Sequence, residues 1–194
     1  VQLPDPVTLT PITLRQVDSG DAVFLDSLHE DGEYAFFAVN RRPTLPEIEQ
    51  QILEARSPAV DFRIICSAAT NSALGWVRAD LDFDDGNARL GYGLAPRYWG
   101  HGYATGAVRA MVDSLFDRGD IFKVWARVDP RNERSMKVLP RAGFNLEGTL
   151  ESHVVRRGER ASRALFGLTH QRWQETHQPQ GGRGGRVGVE SPLV

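Results

Sequence analysis

The sequence predicts an α+β fold, a three-layer arrangement in which helices flank a mixed, mostly antiparallel sheet of six to seven strands. Three observations predict it. Seven short apolar or alternating stretches, bounded by turn residues, supply the strands. The connections among the strands at 60–68, 74–81 and 88–94 are too short for anything but antiparallel neighbours. A strand–helix–strand unit over 88–128 requires a crossover and hence one parallel pair. The 194 residues suffice for one sizeable core. The expected organisation is an N-terminal arm (1–10), one domain (11–175) and a flexible Gly/Arg-rich tail (176–194).

Each element has a local signal. Residues 12–16 alternate and fit a strand. Asp18 is placed to cap a helix carrying Ala22, Val23, Leu25 and Leu28. The aromatic stretch 34–39 reads as a short helix or a lid. Thr44 and Glu47 form a capping-box pattern before a helix at about 45–56, with Ile48, Ile52 and Leu53 on its apolar face. Asp84-Asp85-Gly86-Asn87 marks a hairpin. A helix follows Gly102 to about Arg118, with Ala107, Val108, Met111, Val112, Leu115 and Phe116 buried, and Gly119 ends it. A strand at 122–128, a helix from Asn132 to about Arg141 and strands at 144–150 and 164–169 complete the domain. The polar segment 151–162 separates the last two strands, and a Gly158-Glu159 turn can make them a hairpin.

Composition narrows the function. Twenty-three basic and 25 acidic residues give a net charge of −2, which argues against an electrostatic nucleic-acid binder. Arg156, Arg157, Arg160 and Arg163 crowd one segment and read as a solvated surface loop before a basic patch. The lone Cys66 excludes an intrachain disulfide and a multi-cysteine metal site, so no metal is expected; it reads as a buried small hydrophobe. No stretch is long and apolar enough to span a membrane, and no leader-like segment is visible, so the cytoplasm is the expected location. The two Arg/Gly units at 181–186 are too few to carry an RNA-binding reading.

The organising stretch is Leu90 to Ala107, a strand, a glycine-rich turn and a helix start. Such a turn presents backbone N–H groups that have no intrahelical partner and can bind phosphate. A kinase-type phosphate loop needs Gly-Lys-[Ser/Thr], which is missing near Gly102 and Gly106. A dinucleotide fingerprint needs a third glycine at an offset that Gly100-His101-Gly102 lacks.

Four motifs in order resemble the GCN5-related N-acetyltransferase (GNAT) superfamily, and within it the RimJ/RimL-like branch. They are Arg97-Tyr98-Trp99-Gly100-His101-Gly102, the strand Leu90-Gly91-Tyr92-Gly93-Leu94 before it, Asn132-Glu133-Arg134-Ser135, and Ala142-Gly143-Phe144 with Glu147-Gly148. The resemblance covers roughly residues 10–173. It implies splayed fourth and fifth strands with acetyl-CoA in the gap, pantetheine pairing with 90–94. It implies a primary-amine acceptor on a protein N-terminus, a metabolite or an antibiotic, and a monomer or homodimer.

The same resemblance assigns roles. The backbone from Tyr98 through Trp99, Gly100, His101, Gly102, Tyr103 and Ala104 to Thr105 would hold the pyrophosphate, helped by Arg97. The Leu94 N–H would face the thioester carbonyl, Asn132 would touch pantetheine, and Ser135 would lie near the sulfur as general acid or positioning group. Asn132 reads equally as a helix cap. Arg89 stands where relatives of this branch often carry a glutamate, and arginine cannot serve as base. Glu33, Asp80, Glu151 and His153 are the substitutes, with Glu33, Arg89, Glu151 and His153 the expected acceptor-side residues. The missing acid also motivates an alternative, a non-catalytic acyl-CoA-binding regulatory module.

Overall fold

The predicted stretches pair into one sheet of seven strands in the order β1-β2-β3-β4-β5-β7-β6. These are β1 (Ile12–Gln16), β2 (Val60–Ser67), β3 (Ala73–Asp82), β4 (Asn87–Leu94), β5 (Lys123–Val128), β6 (Asn145–Arg156) and β7 (Glu159–Thr169). The structure, a computed structural model, describes residues 10–38 and 41–177. Strands β1 to β4 form an antiparallel meander, and β4 and β5 are the parallel pair. Strand β7 lies antiparallel between β5 and β6. The mixed, mostly antiparallel sheet is therefore as expected.

Helices α1 (Ala22–Ser27), α2 (Gly32–Ala38) and α3 (Leu45–Glu54) cover one face over β2 and β3, where Leu25, Leu28, Ile48 and Ile52 pack on Phe62 and Ile64. Cys66 is buried in that layer. Helices α4 (Tyr103–Phe116) and α5 (Glu133–Arg141) cover the other face, where Met111, Val112, Leu115 and Leu139 meet Val77, Val124 and Phe166. Helix α6 (His170–His177) follows β7, and Trp173 Nε1 donates to Asp113 Oδ1 of α4 at 2.6 Å. The Thr44/Glu47 capping box is formed, with the Thr44 N–H donating to Glu47 Oε2 at 2.8 Å.

Three expectations are corrected. Asp18 caps a single 3-10 turn ahead of α1, closed by its own reciprocal box with Asp21. Val23 is 71% exposed, because Ala22 and Leu25 define the buried side of a helix only six residues long. Segment 151–162 is not a polar connection. It completes β6 and β7, which turn at Arg157-Gly158, with φ of 48° and 84°. Polar residues serve there because antiparallel strands tolerate a face open to water. The hairpin itself was legible; its length was not.

Residue Thr10, the last of the expected arm, donates its hydroxyl to the His101 carbonyl at 2.6 Å. The rest of the arm and the tail from 178 lie outside the described residues. No described helix is long and apolar enough to cross a membrane.

Candidate active site

Strand β4 pairs with β3 along its whole length, from Asn87↔Asp82 to Leu94↔Gly75. With β5 it pairs only over Asn87–Arg89. Strand β5 meanwhile stays paired with β7 through Val128. Past Leu90 and Ala126 the two parallel strands therefore diverge, as the resemblance implied. The gap is a cavity of about 460 Å³ lined by both strands and by the starts of α4 and α5.

Hydrogen-bond alternation decides what β4 offers to this gap. The Ala95 N–H donates to the Leu74 carbonyl at 2.9 Å, so odd-numbered residues of β4 face β3. The backbone groups of Tyr92 and Leu94 then point to the opposite edge, into the cleft. The Leu94 carbonyl accepts from Trp99 Nε1 at 2.9 Å, which fixes the turn against the strand end.

The turn narrows the predicted phosphate cradle. The Tyr98 and Trp99 N–H groups donate to the Ala95 and Pro96 carbonyls at 2.9 and 3.0 Å, so their N–H groups are spent inside the turn. Their rings remain lining groups. The first bond of α4 shown is Gly106 N–H to the Gly102 carbonyl at 3.0 Å. The N–H groups of Tyr103, Ala104 and Thr105 thus precede any intrahelical acceptor. Gly100 and Gly102 hold φ of 82° and 80°, a conformation that side chains resist. Arg97 and His101 do not line the cleft: Arg97 is exposed over the Tyr98 ring, its Cζ 4.8 Å from the centroid, and His101 is exposed.

Across the cleft, Asn132 Oδ1 accepts from the Ser135 N–H at 3.2 Å and caps α5. Both residues line the cavity, so the cap is real and the ligand role stays open to them. Tyr92 was not singled out by the sequence. Its hydroxyl is buried with no hydrogen-bond partner among the described residues. Burial raises its pKa, with Ser135 acting the other way. The hydroxyl thus lies beside the Ser135 side chain without a well-formed hydrogen bond, and a polar group of a ligand in the cleft can complete its bonding. Beneath it, Trp76 Nε1 donates to Tyr34 Oη at 2.7 Å, and burial pushes the Tyr34 phenol up to about 12.

Of the four expected acceptor-side residues, one lines the cleft. Glu33 of α2 reaches across to pair with Arg134 of α5, whose guanidinium lies 4.3 Å from the Trp99 ring centroid. Arg89 is instead tied to Asp80 at 2.6 Å, and Asp80 is also held by Arg78 at 2.8 Å. Glu151 and His153 sit exposed where β6 slips register against β7 between Leu150 and Val154, so they point to solvent rather than line the cavity.

The structure adds a group the sequence left in a surface loop. Arg156 and Arg163 line the cleft with Arg127 and the buried Asp129, while Arg157 and Arg160 are exposed. Pairing Arg156↔Glu159 and Leu150↔Arg163 puts Arg156 and Arg163 on one face, and strand alternation puts Arg160 on the other. That signal exists in the sequence once 151–162 is read as strand. Asp129 pairs with Arg131 at 2.8 Å and Arg163 at 3.2 Å.

The Arg131 guanidinium holds the Asp129 carboxyl at about 2, below its unfolded value. A carboxyl lowered by folding stabilises above its unfolded pKa, about 4, and loses that contribution as pH falls toward 2. The free energy of unfolding in urea should therefore fall over that window, and Asp129→Asn should flatten the dependence. An unaltered slope in the variant would remove Asp129 from the acid linkage.

The family model described as Acetyltransferase (GNAT) domain matches residues 12–145. The uncharacterized N-acetyltransferase p20 of Bacillus licheniformis is 30% identical over 166 residues, covering 81% of this chain and 92% of the relative. A Vibrio cholerae spermidine N-acetyltransferase, solved with CoA and spermine, superposes with a TM-score of 0.75 at 18% identity, over 84% of this chain and 97% of that one. A ribosomal-protein-S5-alanine acetyltransferase from Vibrio fischeri gives a TM-score of 0.73 at 22% identity, over 84% and 94%.

Proposed function

We propose, since this chain belongs to the GNAT acetyltransferase family, that it transfers the acetyl group of acetyl-CoA to a primary amine and stands in the RimJ/RimL-like branch. The observation that carries the transfer reading is the divergence of β4 and β5 beside a glycine cradle at the start of α4. The four motifs in their order support the branch. Acetyl-CoA fits the residues present. The exposed strand edges at Tyr92 and Leu94 suit an amide-bearing arm that extends the sheet, and the N–H groups at Tyr103 to Thr105 suit phosphate. The buried Tyr92 hydroxyl, beside Ser135, supplies a further donor.

When bound, acetyl-CoA supplies an activated acetyl thioester. The chain's own groups do the rest. The Leu94 N–H donates to the carbonyl oxygen, where negative charge grows. Ser135, with Tyr92 beside it, gives a proton to the departing sulfur. Glu33 pairs with Arg134 and lines the cleft, where it orders a water on the incoming amine. The cationic wall of Arg127, Arg156 and Arg163 lowers the pKa of an ammonium brought near it, so less basicity is asked of Glu33. Arg89, which motivates the non-catalytic reading, does not line the cleft, so its identity leaves the chemistry there untouched.

Ser135→Ala is expected to lower kcat by about 10- to 100-fold and to leave the KM for acetyl-CoA within about twofold, because its N–H, not its hydroxyl, completes the cap. Steady-state thiol release checks this. An unchanged kcat would take Ser135 out of the mechanism.

A further inference from the structure

The charge of the cleft is lopsided. Six cationic side chains line it against two carboxylates, Glu33 and Asp129. Both carboxylates are already committed, Glu33 to Arg134 and Asp129 to Arg131 and Arg163. Arg127 and Arg156 have no carboxylate within ion-pair distance among the described residues. Arg156 is the sharper case. Its Nη2 donates to the Phe37 carbonyl at 3.1 Å, and its Nη1 is buried with no hydrogen-bond partner. A buried guanidinium N–H without an acceptor is costly, so a fold that keeps one is set for an acceptor from outside. Arg163 stands by with a side chain only 8% exposed. Burial lowers the pKa of both Arg127 and Arg156, and neighbouring arginines lower them further.

We propose that the acetyl acceptor is an amino-carboxylate, a small molecule whose carboxylate docks on Arg156 and Arg163 while its amine faces the β4 edge. The proposal rests on the acetyl-transfer reading and names the substrate class of that same site. A guanidinium matches a carboxylate in a two-point geometry that a lysine lacks. The bound carboxylate also offsets the repulsion that the wall exerts on the amine. A polyamine brings no anion and meets only like charge. The α5 cations Lys137 and Arg141 remain for the phosphates of the donor.

The test compares amino acids with their carboxamides as acceptors, with spermidine and a C-terminally amidated peptide alongside. Free amino acids should exceed their amides by about 10- to 100-fold in kcat/KM. Arg156→Gln should erase that preference through KM, Arg156→Lys should restore part of it, and the CoA dissociation constant should stay unchanged in both. Calorimetric titration of the CoA-loaded protein with N-acetyl amino acids, against N-acetyl amino amides, reads the same subsite without turnover. Amides or spermidine reacting as well as amino acids, no selective binding of the N-acetyl amino acids, or a loss of CoA affinity in Arg156→Gln would each overturn the proposal. Failure of the transfer reading looks different: acetyl-CoA then leaves the wild-type melting temperature unmoved.

Discussion

Acetyl-CoA at about 100 times its dissociation constant is expected to raise the melting temperature by ~5–10 °C, and Gly100→Glu is expected to erase that rise. The figure follows from linkage, since a ligand bound only by the folded state at that excess adds about 2.7 kcal/mol. Gly100 is the informative position for two reasons. Its φ is 82°, which an L side chain adopts only at a cost of ~1–2 kcal/mol. A Cβ there would meet nothing within 4 Å, so a substituent points into open space at the mouth of the cradle rather than into the core. Glutamate adds a negative charge where phosphate must sit, whereas alanine adds only the backbone strain. Gly100→Ala should therefore melt lower than the wild type yet keep most of the ligand-induced rise. Differential scanning fluorimetry of the three proteins separates strain from charge. A full rise in Gly100→Glu would mean that the phosphates are held elsewhere.

The fold was legible because its signals are local. The Asp84 to Asn87 hairpin, the Thr44 cap and the 12–16 alternation each decide an element without help from distant residues. The glycine turn before α4 was legible for the same reason, since glycines before a helix announce themselves. The arginine wall was not. Arg156 and Arg163 come together only through the pairing of β6 with β7, and the polar run at 151–162 hid that pairing because β6 is exposed almost throughout and so carries no apolar alternation. Arg89 and Asp80 illustrate the converse. Their cross-strand pairing on β4 and β3 makes Arg89, expected on the acceptor side, an exposed partner of Asp80 instead. Which N–H groups remain for phosphate was also beyond sequence, because the 3-10 turn that occupies Tyr98 and Trp99 is a matter of closing geometry.

Gly75→Ala is expected to be the most damaging small substitution, with a loss of ~3 kcal/mol or more and a melting temperature lower by ~6–12 °C. Gly75 lies on β3 opposite Leu94, at the last pair before β4 leaves the sheet. A Cβ there would sit 2.1 Å from the Gly93 carbonyl oxygen and 2.8 Å from the Leu94 Cα. Both are backbone atoms, so no rotamer change can relieve the clash, and the end of β4 must move away from β3. That end carries the Leu94 N–H proposed for the oxyanion and the Leu94 carbonyl that anchors Trp99. Activity should therefore fall further than the folded fraction does, even well below the melting temperature. Gly91→Ala on the adjacent strand is the control. Its Cβ would meet only the Trp76 ring, at 3.5 and 3.6 Å, ordinary contacts, so stability should change by no more than ~0.5 kcal/mol. Equal tolerance of both substitutions would show that the two strands approach less closely than this at Gly75. Loss of stability without excess loss of turnover in Gly75→Ala would instead detach Leu94 from the chemistry.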